Sequence, residues 1–204
     1  MELLLAIFVF AASTSITPGP NNIMIMASGM NFGTRKSLPH YLGICIGFPA
    51  MVVLVGLGFG FIFDEYPLIH EIIKIVGIVY LVYLSWLIAN SAPKSLDSTE
   101  TQPISFWQAV LFQWVNPKAW IMATGAVAAY TSAASDIYSQ VLLIALVFFA
   151  VSFPCIGSWL FFGVWLKKLL KDSSNQRVFN MCMALLLVMS IIPVTYDLIR
   201  GYVT

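Results

Sequence analysis

The sequence predicts an all-α membrane protein of six transmembrane helices, built as two inverted three-helix repeats. Three observations predict it. The 204 residues are 60% apolar and only 9% charged, with a mean hydropathy of +0.90, whereas a soluble domain carries roughly a quarter charged residues. Four stretches carry no charge: Leu3 to Ala27, Tyr41 to Phe63, Ile137 to Leu166 and Val178 to Tyr196. Each matches or exceeds the ~20 residues that cross a hydrocarbon core about 30 Å thick. Two further apolar stretches are interrupted, Leu68–Ala89 by Glu71 and Lys74, and Ile104–Ala134 by Lys118 alone.

The elements follow in order. Helices are expected near 3–28, 38–63 and 68–90, forming a first repeat over residues 1–92. The polar stretch "NSAPKSLDSTETQP" then divides the chain, and residues 93–103 are read as a cytoplasmic linker. The second repeat, 104–204, is expected to hold helices near 104–131, 137–167 and 177–199. Three is an odd number of crossings, so a second copy must enter the membrane from the opposite face. The interruptions repeat as well. Pro18 and Pro20 disturb the first span and Pro117 the fourth; Phe48-Pro49 in the second span is matched by Phe153-Pro154 in the fifth. Pro49 and Pro154 are read as helix breaks or hinges. Matched interruptions in two halves point to a transporter's binding site. The third and sixth spans do not match, since Pro193 has no counterpart. Gly43 and Gly47 in the second span are read as a packing face.

Orientation comes from the basic residues. Arg35, Lys36, Lys94, Lys167, Lys168, Lys171 and Arg177 fall in loops on one side, against Lys74 and Arg200 on the other. Positive loops stay in the cytoplasm, so both termini are expected in the periplasm, with Trp107, Trp159, Trp165 and Tyr202 in the aromatic belts. Glu2 is acidic where a cleaved signal needs a positive start, so no cleavage is expected.

The composition excludes several classes. Cys45, Cys155 and Cys182 form no C-x-x-C, and no Cys/His cluster suits a metal. Neither cofactor nor nucleic acid is expected. His70 is read as an interfacial residue and His40 as a helix-start residue. An enzyme would need paired carboxylates or an activated nucleophile in the bundle, yet all nine acids lie at helix ends or in loops.

Two polar interruptions carry the functional reading. Thr17-Pro18-Gly19-Pro20-Asn21-Asn22 lies inside the charge-free first span. Each proline lacks an N–H and crowds the carbonyl one turn earlier, so carbonyls near residues 14–16 lose their helical partners. In lipid they must find other donors or line a wet cavity. The asparagine amides and the Thr17 hydroxyl can supply hydrogen bonds there. The second interruption is Gln113-Trp114-Val115-Asn116-Pro117-Lys118. Lys118 lies 14 residues past Ile104, and Thr17 lies 14 past Leu3. At ~1.5 Å per residue both reach the central zone from opposite faces. A lysine there costs at least ~2.5–3.5 kcal/mol on insertion scales and marks a functional site by default. With no acid at that depth, a substrate carboxylate is the fitting partner. Lys118 is read as its anchor. The proton-carrying group is left open between the substrate's own amine and, more weakly, His40.

Thr17-Pro18-Gly19-Pro20-Asn21 and Asn116-Pro117-Lys118 resemble the two signature motifs of the LysE/RhtB family of amino-acid exporters. Gly33, Arg35, Gly43, Gly47, Lys74, Gly77, Tyr80, Leu81 and Tyr83 fit the same pattern. Pro103-Ile104-Ser105-Phe106-Trp107, with Gln113 and Val115-Asn116, looks like its cysteine/O-acetylserine branch. The resemblance implies a bacterial inner-membrane secondary exporter of small amino acids or derivatives, coupled to protons, with substrate bound near the midplane between broken helices 1 and 4. It implies the lipid bilayer and a small amino acid as partners, and a homodimer as a candidate assembly. Export of other neutral or basic amino acids is the alternative, and a membrane thiol-redox carrier the reading from a different class. Many relatives have glycines in the last helix; Met181 to Met189 has none.

Overall fold

The computed structural model describes residues 2–59, 65–90, 102–132, 136–170 and 172–203. The expected linker up to residue 101 and the expected second helix from residue 60 onward lie outside them. The described chain is all helical. Helix α1 spans Glu2–Ile16, and α2 spans Pro20–Leu54 and runs into a wide turn at Val55–Phe59. Helix α3 is Pro67–Ala89. Helix α4, Phe106–Phe112, passes through a tight turn at Gln113–Val115 into α5, Pro117–Tyr130. Helices α6, Ile137–Leu169, and α7, Ser173–Val203, complete the chain.

Lipid is written on the helix surfaces. In α1 only Ile7, Ala11 and Ser15 are buried, one stripe at four-residue spacing. Leu3, Leu4, Leu5, Phe8 and Val9 point outward and are exposed. In α7, Asn180, Met183, Ala184, Leu187 and Ile191 face inward while Met181, Leu185, Leu186, Met189 and Ile192 face outward. A helix apolar on every side needs a nonpolar solvent. Among the described residues, four helical stretches are long and apolar enough to cross a membrane: Pro20–Gly58, Glu71–Ala89, Ile137–Leu169 and Ser173–Arg200; Glu2–Ile16 is apolar but shorter.

The expected breaks are present. The expected helices 3–28 and 104–131 are each cut in two, at residues 17–19 and 113–116. Pro20 and Pro117 are each the first residue of the next helix, where the missing N–H costs nothing and the fixed φ suits the helix. The second expected helix starts earlier than residue 38. Gly33 has φ 77° and ψ 175°, a left-handed conformation open in practice to glycine alone. Nine residues along a straight helix would span about 13.5 Å, yet Ser37 and Ser28 bring their hydroxyls to 3.1 Å. Gly33 therefore folds α2 back into a short arm, 20–32, and a long arm, 34–54. Pro49 and Pro154 stand inside continuous helix; neither breaks it in this conformation.

Two of the three buried cores among the described residues sort the pieces, and the third, with Ile25, Ile44, Ala109 and Ile156, joins the two arms to α4 and α6. One joins Ile7 and Ala11 of α1 with Phe48, Met51 and Val52 of the long arm, Met122 and Ala126 of α5, and Ile144 and Phe148 of α6. The other joins Ile23, Met24 and Ala27 of the short arm with Leu81 and Leu84 of α3, Phe112 of α4, and Met183 and Leu187 of α7. A Cβ on Gly43 would meet the Phe106 carbonyl at 2.5 Å, and one on Gly47 would meet Val110 Cα at 2.8 Å. These two glycines seat α4 against the long arm. Local signals set the helix starts. Ser105 and Gln108 form a reciprocal capping box on α4. Asp136 accepts from Tyr138 N, Ser139 N and Ser139 Oγ to cap α6. The Ser139 hydroxyl holds the Asp136 carboxyl below its ordinary range.

Candidate functional site

Every carbonyl freed at the first break has a donor. Thr14 O accepts from Thr17 Oγ1 at 2.8 Å. Ser15 O and Thr17 O share the Asn22 amide, at 2.8 and 2.7 Å. Ile16 O accepts from Trp159 Nε1 at 3.0 Å. Gly19 O begins the next helix through Ile23 N at 2.9 Å. Lys118 comes from the other half of the chain: its ammonium donates to Thr17 O at 2.7 Å, Thr17 Oγ1 at 2.8 Å and Pro18 O at 3.2 Å. An ammonium has three donors, and all three are engaged.

The second break is built from its own side chains. Asn116 Oδ1 accepts from Lys118 N at 3.1 Å and so caps α5. Trp120 Nε1 donates to Trp114 O at 2.8 Å. Gln113, fully buried, donates to Ala109 O at 2.8 Å and pairs with Asn21. The two breaks are thus joined twice, by Lys118 to Thr17 and by Gln113 to Asn21. Gly19 permits the first junction. Its φ of 177° is ordinary extended backbone, but a Cβ there would stand 2.6 Å from Lys118 Cδ. The glycine is required by close approach and not by dihedral strain.

Around this junction lies a cavity of about 30 Å³, lined by Thr14, Ser15, Gly19, Asn21, Asn22, Asn116 and Lys118, with Ile44, Phe48, Ser152 and Ile156 from the long arm and α6. A water needs roughly 10–15 Å³ by such a measure, so this cavity has room for one or two waters and not for an amino acid. The first turns of the short arm and of α5 both border it. Helix N-termini carry unsatisfied N–H groups and about half a positive charge each. Two such termini and an ammonium bring positive charge to the junction, beside the carbonyls that end α1. A larger cavity, about 430 Å³, lies further along the short arm between Ser28, Asn31, Tyr80, Tyr83, Ser105 and Gln108.

The structure brings Thr17, Pro18, Gly19, Pro20, Asn21, Asn22, Gln113, Asn116, Pro117 and Lys118 together at one junction. Pro49 and Pro154 are not at the cavity wall, though Phe48 and Ser152 beside them are. Trp159, expected in an aromatic belt, serves the first break instead. Sequence reasoning did not anticipate Ile44, Ser152 or Ile156. A reader could have found them only by carrying the cavity wall one helical turn either side of each proline. His40 is not a surface helix-start residue but fully buried.

Comparison with known proteins decides the family. The model of the LysE type translocators matches residues 12–193. The chain belongs to the LysE family. This LysE-family protein is 29% identical over 195 residues, 95% of its length and 98% of the relative's, to the cysteine/O-acetylserine efflux protein of Escherichia coli O1:K1. It is 28% identical over the same span to the proteins of that name from Escherichia coli K12 and Shigella flexneri serotype 5b. No solved structure matches it. As a LysE-family translocator it is a transporter, and the resemblance read from its two motifs is borne out.

Proposed function

We propose that this chain exports small amino acids or their derivatives, of the cysteine/O-acetylserine kind, across the bacterial inner membrane in exchange for protons. The substrate binds at the junction of the two breaks, near the midplane. Both termini face the periplasm, and the two halves form an inverted repeat.

One observation carries this reading: Lys118 and the N-termini of two interrupted helices converge on one cavity, with no carboxylate among its lining residues. A substrate carboxylate supplies the missing anion, as substrates do at broken helices in transporters. Lys118 already fills its three donors with Thr17 and Pro18. A carboxylate therefore binds by exchange, taking an N–H from the Thr17–Pro18 backbone. The freed carbonyls then face the cavity and suit the substrate's α-ammonium. The small volume corresponds to a closed conformation of the site. Opening needs movement of the long arm or α6, for which Pro49 and Pro154 are the proposed hinges.

The inverted repeat has support in the packing of the broken spans. Lys118 meets Thr17, Phe10 stacks edge-on against Tyr130, and Tyr130 Oη reaches Ala6 O. Helices α1 and α5 are therefore antiparallel. The short arm meets α4 through Asn21 and Gln113. This is the crossing that two oppositely inserted copies of one broken helix make.

Counterflow in proteoliposomes against a panel of labelled amino acids tests the function. Exchange of cysteine or O-acetylserine is expected. Exchange only of larger neutral or basic amino acids would move the substrate class, and no exchange of any would overturn the reading.

A further inference from the structure

His40 stands apart from every other polar residue described. It is fully buried, and neither Nδ1 nor Nε2 has a hydrogen-bond partner. These are the only buried side-chain nitrogens or oxygens without one among the described residues. An unmet buried polar group costs about 1–3 kcal/mol, so a ring kept this way is expected to find its partner in another state of the protein.

Its position says which state. Ile44 and Phe48 follow His40 at four-residue spacing on the long arm, and both line the central cavity. Residues so spaced share one helix face, and one step is about 6 Å of axis. On the other side, Ser37 precedes His40 by three residues and contacts Ser28, which lines the 430 Å³ cavity. The ring therefore occupies dry protein between two cavities that each expose some polar side chains, on the stripe that walls the central one.

We propose that His40 carries the coupling proton of this transporter, a role that rests on the exporter reading above. The step is a proton transfer alone. A ring nitrogen takes one proton when the long arm moves and exposes it to the proton-rich side, and gives up one proton toward the other side. No other bond changes. The electrostatics have the sign an exporter needs. An imidazolium one turn from the cavity repels the α-ammonium of a bound amino acid, so proton and substrate compete.

The surroundings leave the ring to act alone. The long arm carries Arg35, Lys36, Tyr41 and Cys45. The short arm, 20–32, and α4 contain no titratable residue. Helix α6 carries Tyr138 in its first turn, Cys155, and Lys167 and Lys168 in its last turn. Lys118 of α5 lies at the central cavity. No carboxylate is among them. The Tyr41 hydroxyl is committed to Phe153 O at 2.8 Å.

The test compares His40→Gln with wild type in proteoliposomes, using counterflow and transport driven by a pH gradient. The proposal expects His40→Gln to keep counterflow, which moves no net proton, and to lose gradient-driven transport. It also expects the wild-type rate, measured at a fixed pH gradient, to depend on pH. Gradient-driven transport at the wild-type level in His40→Gln overturns the proposal. So does equal loss of both modes in correctly inserted protein, which would place His40 in the substrate site. If His40→Gln does not accumulate in membranes, His40→Asn and the wild-type pH profile carry the test, and a flat profile overturns it. Absence of counterflow in wild type would instead overturn the exporter reading, a separate outcome.

Discussion

Asn21 and Gln113, ninety-two residues apart, exchange two hydrogen bonds: Asn21 Nδ2 donates to Gln113 Oε1 at 2.8 Å, and Gln113 Nε2 donates to Asn21 Oδ1 at 3.2 Å. Each amide completes the other. The pair ties the first turn of the short arm to the end of α4, next to the cavity that Asn21 lines. Replacing Asn21 or Gln113 with leucine leaves its partner unmet, at about 1–3 kcal/mol. Transport is expected to fall strongly in each single variant, and by less than the sum in the double. Counterflow rates of the three variants check this; normal rates in both singles would remove the pair from the site.

Asn31 and Asn180 make a second reciprocal pair, at 3.0 and 3.1 Å, between the short arm and α7. It lies away from the central cavity. Interhelical hydrogen bonds in membranes average ~0.6 kcal/mol and reach about 1.7. Asn180→Leu is expected to lower thermal stability modestly in detergent while transport per folded molecule is kept. A loss of transport matching Asn21→Leu would show that the two pairs act as one unit.

Lys118→Met keeps the bulk and removes the three donors that hold Thr17 and Pro18. It is expected to abolish net export and substrate exchange together, since both need the carboxylate anchor. Retained exchange with lost proton-driven export would put Lys118 in the proton path.

Gly19→Leu drives a side chain into the space of Lys118 Cδ. The protein is expected to insert, because φ at this position suits any residue, and to lose transport, because the lysine is displaced from Thr17. Near-normal counterflow would show that the junction serves packing alone. Gly33→Ala makes the contrasting case. No atom lies within 4 Å of its Cβ, but φ is 77°, so that variant is expected to lose stability through backbone strain.

Topology is open to labelling. The excess of basic residues in one set of loops predicts that a cysteine at Ser95, in a Cys-free background, is protected from impermeant reagents in intact cells. Labelling from outside would reverse the orientation.

Much of the candidate site was legible because it breaks the rules of its surroundings. Pro-Gly-Pro with two asparagines, and a lone lysine in a long apolar stretch, stand out against lipid-facing sequence whatever the fold. The tightness of the first turn was less legible. A loop was expected between residues 28 and 38, but only the structure shows that the single residue Gly33 makes the turn while helix continues on either side. Trp159 was misread for a related reason: its distance from a span end says nothing about which carbonyl its indole meets across the bundle.

By itself the sequence determined the solvent, the all-helical class and the location of the two breaks, because charge, hydropathy and proline act through local chemistry. Only the tertiary structure decided that Lys118 answers the carbonyls of Thr17 and Pro18. It alone paired Asn21 with Gln113, and it alone left His40 buried with no partner among the described residues. Each of these depends on which helices pack together, and in a chain whose outer faces are as apolar as its inner ones, hydrophobic pattern cannot choose among neighbours. That choice falls to small residues that admit close approach and to the few polar groups that must find one another.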